Sequence, residues 1–290
     1  MSNVLRHWLV CFAVFAFTLA SWRCVAADDG PPATEPKPDS KLPTLFLIGD
    51  STVRNGTAGN GAGGLWGWGK PIADLFDTNK INVQNRAWGG TSSRSFQSSG
   101  RWEKVLADLK PGDFVIMQFG HNDNGSVSND PRARATLKGN GKETQEVTLP
   151  SGEKEIVHTF GWYLRKYVAD TKGKGATPIV CSLIPRNDWS GDKVKRSVNS
   201  HGQWAKEAAQ AGGAQFVDLN ALAAARYDQL GQEKVTKEFF VSEHTHTSWE
   251  GAKLNAQCVV DGLRALPGCK LQNFLLPFTV INKAPPITSP

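Results

Sequence analysis

Thr44-Leu-Phe-Leu-Ile-Gly-Asp-Ser-Thr52 is the stretch that decides how this chain is read. Leu45 to Ile48 is continuously apolar, the pattern of a strand buried on both faces of a parallel sheet. Gly49 then permits a sharp turn, and Asp50, Ser51 and Thr52 follow it. Working outward, further strand-length apolar runs stand at residues 81–85, 114–119, 178–183 and 215–219. Amphipathic stretches lie between or after them at 66–76, 102–109, 159–174, 195–211 and 248–266. Short strands alternating with helical patterns predict one α/β domain, a three-layer sandwich with a roughly five-stranded parallel sheet covered by helices on both faces. Ligands in such sheets sit beyond the carboxyl ends of the strands, which is where Ser51 falls.

The chain around this core has 290 residues, 40% of them hydrophobic, enough to bury a sizeable core. Residues 1–27 read as a secretory signal: Arg6 precedes the apolar run Trp8 to Ala20, and small residues at Cys24, Ala26 and Ala27 suit cleavage. The expected location is therefore secreted or periplasmic, with no membrane attachment after cleavage. Loss of Arg6 and Arg23 takes the formal charge from +6 to +4, too weak a balance to argue for nucleic acid. Residues 28–41, rich in Pro, Asp and Lys, predict a disordered leader. The domain is expected over 42–270, with a surface tail at 271–290, and the protein is expected to be a monomer. Cys258 and Cys269, in a chain bound for an oxidising compartment, are the expected disulfide pair. Cys181, inside an apolar run, reads as core packing.

Residues 122–157 break the strand–helix rhythm. They are polar, contain Gly139, Gly141, Pro150 and Gly152, and are long enough to cover a site. Two glycine-rich strings mislead. Gly59-Asn-Gly-Ala-Gly-Gly64 has dinucleotide-site spacing but begins ten residues past the strand end. Gly64-Leu-Trp-Gly-Trp-Gly-Lys70 has Pro71 where a phosphate loop needs Ser or Thr. A Gly-x-Ser-x-Gly elbow is absent from the sequence. No cofactor or metal is expected.

A serine hydroxyl is a weak nucleophile without a base in hydrogen-bond reach, and Gly49-Asp50-Ser51 alone equally describes a turn-capping serine. Three further blocks change that balance. Asn85-Arg-Ala-Trp-Gly-Gly-Thr-Ser-Ser93 can present backbone N–H groups at Gly89 and Gly90. Gln118-Phe-Gly-His-Asn-Asp123 puts an amide side chain at the same sheet edge. Ser242-Glu-His-Thr-His-Thr-Ser248, just before the final helix, supplies histidines and a carboxylate. Nucleophile, anion donors, base and acid at strand ends or helix starts are what acyl transfer requires.

In that order the four blocks resemble the SGNH (GDSL-type) hydrolase superfamily and its flavodoxin-like fold, over about residues 45–266. Within it, Gly49-Asp-Ser-Thr52, Phe119-Gly-His-Asn-Asp123, His244-Thr-His-Thr-Ser248 and His158-Thr-Phe-Gly-Trp-Tyr-Leu-Arg165 look most like the rhamnogalacturonan acetylesterase group. The resemblance implies a serine esterase that removes acetyl groups from a plant cell-wall polysaccharide, with acetylxylan or another O-acetylated carbohydrate as the alternative substrate. It implies Ser51 as nucleophile, His246 as general base, and the Ser51 N–H, the Gly90 N–H and the Asn122 amide as oxyanion donors. The family's acid is Asp three residues before the histidine. Here that residue is Glu243, which can orient an imidazole in the same way but with one more methylene.

Trp88, His121, His244 and Arg186 are candidate substrate contacts, Arg186 and Lys70 as partners for a galacturonate carboxylate. Trp66, Trp68 and Trp189 could stack on sugars or pack in the core. Asp50 is expected to fix the turn through backbone N–H groups, and His158 to pack at a helix start. Two other classes stand beside the esterase. One is a metal-dependent phosphoesterase using Asp50, His121, Asp123, His244 and His246. The other is a carbohydrate-binding protein that has lost catalysis, which Glu243 alone encourages.

Overall fold

A computed structural model describes residues 37–56 and 59–277. In chain order the strands are β1 (Thr44–Gly49), β2 (Asn82–Asn85), β3 (Phe114–Gln118), β4 (Thr144–Thr148), β5 (Lys154–His158), β6 (Thr177–Cys181), β7 (Trp189–Ser190), β8 (Lys193–Val194) and β9 (Gln215–Val217). The α-helices are α1 (Ser93–Ser98), α2 (Arg101–Asp108), α3 (Phe160–Gly173), α4 (His201–Gly212), α5 (Leu219–Leu230), α6 (Gln232–Phe239) and α7 (Trp249–Ala265). Five strands form one parallel sheet in the order β2-β1-β3-β6-β9. Beside it stand two antiparallel hairpins, β4–β5 and β7–β8.

The unbroken apolar run of β1 has a direct cause. Leu45 and Leu47 enter a core shared with Ile116, Ile179, Val217 and helices α5 and α7. Phe46 and Ile48 enter the opposite core with Val115, Met117, Val180 and helices α1 to α4. Both faces are covered, so neither set of alternate residues is polar. Chain order places β2 on one side of β1 and β3 on the other, so the carboxyl end of β1 opens at the switch point of the sheet.

Gly49 closes β1 where no side chain fits. A Cβ there would lie 2.5 Å from Val53 Cγ2 and closer still to the Gln118 carbonyl oxygen. Gly49→Ala is expected to cost about 1–3 kcal/mol, because a strand carbonyl cannot yield. Thermal denaturation would show a Tm lower by several degrees; an unchanged Tm would contradict this close approach.

Four sequence expectations need correction. Residues 66–76 do not form an α-helix: Gly67, Gly69 and Pro71 oppose one, and only Pro71–Leu75 winds into a 3-10 turn. The leader's last residues are anchored, since Asp39 exchanges hydrogen bonds with Asn82 (2.9 and 2.8 Å) and Lys110 Nζ donates to the Ser40 and Leu42 carbonyls. The tail's first residues belong to the domain: Leu271 is buried, and Asp77 N–H donates to the Phe274 carbonyl (2.8 Å). Their apolar side chains drive this packing.

Cys258 and Cys269 are buried free thiols, not a disulfide. About 10 Å of helical rise separates Cys258 from the end of α7, whereas a disulfide needs Cα atoms within roughly 7 Å. The chain beyond α7 enters the 3-10 turn Lys270–Phe274, where Gln272 Nε2 donates back to the Leu263 and Leu266 carbonyls at the end of the helix. The signal segment 1–27, the leader up to residue 36 and the tail from 278 lie outside the described residues.

Candidate active site

Ser51 stands two residues past β1, in a turn built by its neighbours. Asp50 Oδ1 accepts from the Thr52 N–H (2.9 Å) and hydroxyl (2.7 Å), while the Asp50 carbonyl accepts from the N–H groups of Val53 and Arg54. Thr52 Oγ1 in turn accepts from Gln118 Nε2 (2.6 Å), and Gln118 Oε1 accepts from Trp68 Nε1 (2.8 Å). This buried chain of Trp68, Gln118, Thr52 and Asp50 fixes the turn from below. Burial raises the Asp50 carboxyl, against the Thr52 hydrogen bonds that lower it. The sequence signal for Gln118 was a polar residue closing an otherwise apolar strand; its partners had none.

His246 lies 195 positions away in sequence, yet its Nε2 is 2.7 Å from Ser51 Oγ. Its Nδ1 is 2.7 Å from Glu243 Oε1. A carboxylate only accepts, so Nδ1 carries the proton and Nε2 is free to accept from the serine. Glu243 also holds its own loop: Oε1 accepts from the His246 N–H and Oε2 from the Thr245 N–H (2.9 Å). Partial burial pushes Glu243 up, but these bonds and the adjacent imidazole bring it below the ordinary range, which keeps it ionised. A clip secures the loop to the nucleophile side: Trp66 N–H donates to the Thr247 carbonyl (2.7 Å) and Thr247 Oγ1 to the Trp66 carbonyl (3.0 Å). Ser248 caps α7 through the Gly251 N–H.

The three expected anion donors come from the neighbouring strand ends of β2, β1 and β3. Gly90 has φ +80°, a conformation that favours glycine, and open space where a Cβ would stand. Gly89 instead packs on Gly56, where a Cβ would meet the backbone at 2.8 Å. Among the described residues no acceptor takes the N–H of Ser51 or of Gly90. Asn122 gives one amide hydrogen to the Thr91 carbonyl (2.9 Å), and its Oδ1 accepts from Arg134 Nη1 (3.0 Å). Its orientation is thereby fixed and its second hydrogen remains for a ligand. Asp123 accepts from the Ser93 N–H (3.1 Å) and hydroxyl (2.5 Å), and burial pushes it up to about 7 against those bonds.

The remaining candidates divide. Arg186 is at the site: Nη1 lies 3.0 Å from both Thr245 Oγ1 and His244 Nε2, and Nη2 donates to the His121 carbonyl (3.3 Å). His244 is exposed and engaged with Arg186. His121 is buried, and burial followed by the nearby Arg186 charge lowers it to about 3. Trp88 is half-buried with the Arg101 guanidinium 3.5 Å from its ring centroid and Arg54 at 5.9 Å, so a cation already stacks on this ring. Trp66 and Trp68 are core residues, and Trp189 bonds Asn187 Oδ1 through its indole (2.7 Å). Lys70 lies away from the site, beside the edge strand β2. His158 stacks on Trp162 at 3.6 Å. The residues weighed as metal ligands form no metal-binding group among the described residues.

The long segment 122–157 carries the β4–β5 hairpin. Glu155 on β5 meets the fully buried Arg94 of α1 through two bonds (2.9 and 2.6 Å), and Arg94 also donates to the Ala135 carbonyl (2.8 Å). Nothing in the sequence singled out Arg94 or Arg134.

Residues 47–254 match the model of the GDSL-like lipase/acylhydrolase family. The chain is 36% identical over 219 residues to a rhamnogalacturonan acetylesterase of Emericella nidulans, an alignment covering 76% of this chain and 84% of the relative. It is 29% identical over 226 residues to a Bacillus subtilis protein named probable rhamnogalacturonan acetylesterase YesY, covering 77% and 93%. Among solved structures, the crystal structure of Bacillus subtilis YxiM superposes with a TM-score of 0.61 at 25% identity, over 77% of this chain and 56% of that one.

Proposed function

The chain belongs to the GDSL-like lipase/acylhydrolase family, and from that premise we propose that it is a carbohydrate O-acetylesterase acting on acetylated rhamnogalacturonan. The observation that carries the reading is the unbroken line Ser51–His246–Glu243, with both links at 2.7 Å. Ser51 Oγ attacks the acetyl carbonyl as His246 Nε2 takes its proton. The oxyanion is received by the Ser51 and Gly90 N–H groups and the Asn122 amide. His246 then gives the proton to the departing sugar oxygen, leaving acetyl-Ser51. Water, deprotonated by the same imidazole, attacks the acetyl carbonyl; the bond to Ser51 Oγ breaks, acetate leaves, and His246 returns the proton to Ser51 Oγ. Glu243 stays ionised throughout and stabilises the imidazolium. The amino-terminal signal pattern supports action in a secreted or periplasmic setting.

Acetate release measured over acetylated pectins, xylans and mannans tests the substrate. Release is expected to be fastest from acetylated rhamnogalacturonan, and a preference for acetylxylan would replace the pectic reading with the xylan one. Asn122→Ala tests the anion site. Turnover is expected to fall roughly a hundred- to a thousandfold with KM little changed; a change confined to KM would make Asn122 a ground-state contact instead.

A further inference from the structure

The long segment 122–157 reaches the anion site from the carbonyl side of the Asn122 amide. Its turn at residues 130–136 is built around Asp130. Oδ1 accepts from the Arg132 N–H (3.0 Å), and Oδ2 accepts from the N–H groups of Arg134 (2.7 Å) and Ala135 (2.9 Å). Ala133, between them, is held at φ +49°, a left-handed conformation that a residue with a Cβ adopts at a steric cost. The turn is clamped on both sides. The Thr136 N–H donates to the Asp123 carbonyl (3.0 Å), and the Ala135 carbonyl accepts from Arg94 (2.8 Å), itself paired with Glu155. Strain held in place by so many bonds points to a side chain that must be presented accurately, and the one presented here is Arg134.

Arg134 Nη1 donates to Asn122 Oδ1 (3.0 Å), across the amide from its Nδ2 donors. The counter-charge lies to the rear. Asp130 Oδ2 is 3.9 Å from Nε, beyond hydrogen-bond reach, and the buried Nε has no hydrogen-bond partner among the described residues. Burial and the nearby Arg132 lower the guanidinium, the Asp130 and Asp123 carboxylates oppose them, and a guanidinium stays charged near neutral pH. A cation bonded to an amide oxygen draws electron density from the amide nitrogen, which makes its N–H groups stronger donors. An acceptor that gains negative charge profits most: a ground-state carbonyl feels the change weakly and an oxyanion strongly. The bond to Arg134 therefore does more than set the direction of Asn122.

Resting on the acyl-transfer reading above, we propose that Arg134 is a positioning residue of the anion site whose charge acts through Asn122, strengthening its amide donor as the oxyanion forms. The segment 122–157 then contributes a member of the site that never touches the substrate.

The test is a double-mutant cycle on a chromogenic acetate. Arg134→Gln keeps a polar side chain and removes the charge. Its kcat is expected to fall about thirtyfold with KM changed by less than about twofold, the scale of a hydrogen bond to a charged group. In an Asn122→Ala background the same change is expected to cost less than about twofold, because the amide it acts through is gone. Arg134→Lys restores a positive charge and is expected to bring kcat to within about threefold of the parent. Methylboronic acid, which forms a tetrahedral anion on Ser51, is expected to bind Arg134→Gln about tenfold more weakly than the parent. Equal losses in both backgrounds, a loss confined to KM, or Arg134→Lys as slow as Arg134→Gln with an unchanged Tm would overturn the proposal. A parent protein that leaves the acetate intact, or Ser51→Ala that hydrolyses it fully, would instead overturn the acyl-transfer reading and the proposal with it.

Discussion

Ser51→Ala is expected to abolish ester hydrolysis, lowering turnover of a chromogenic acetate by roughly a millionfold, as removal of a nucleophile from a triad does. The argument is geometric. Ser51 is the hydroxyl held at 2.7 Å from the one imidazole nitrogen that can accept, at the carboxyl end of β1, beside the Ser51 and Gly90 N–H groups, which meet no acceptor among the described residues. His246→Ala is expected to fall to the same level, and the double variant no further, because the two act as one unit. Neither change disturbs the core, so the Tm of Ser51→Ala should match that of the parent. Full activity in Ser51→Ala would sink the acyl-enzyme route, whatever the polymer.

Glu243→Gln is expected to lower turnover roughly ten-thousandfold. Both carboxylate oxygens accept: one from His246 Nδ1 and the His246 N–H, the other from the Thr245 N–H. Glutamine has only one oxygen for these duties. Facing the imidazole, it points its NH2 at the Thr245 N–H; reversed, it forces the wrong tautomer on His246. Glu243→Asp should keep part of the activity, since it accepts equally but must draw the loop inward by a methylene. Wild-type turnover in Glu243→Gln would show that another group orients the imidazole.

These residues were readable to different depths. The sheet was legible because burial on both faces leaves uninterrupted apolar runs, and the strands begin and end within two residues of where the pattern puts them. Helices α5 and α6 were passed over: α5 is rich in alanine, with too little polarity contrast to show a stripe, although Asp218 caps it through the Ala221 N–H. The residues that meet at Ser51 were legible as blocks, because each sits at a strand or helix terminus. What holds them was not. Gln118, Trp68 and Arg134 act through contacts across 12 to 66 positions that no spacing encodes. Arg186 was legible as a candidate contact, but sequence cannot show that His244, Thr245 and the His121 carbonyl, from two distant loops, close around its guanidinium.

The clip between Trp66 and Thr247 has a consequence for assembly. Nucleophile and base arrive on opposite sides of one seam, so neither half of the polypeptide is a weaker enzyme; each is none at all. Severed at Gly231, between α5 and α6, the protein is expected to give two silent fragments, and hydrolysis regained on mixing them would measure their reunion. The rate of a colour reaction then counts completed partnerships and makes the molecule its own complementation reporter.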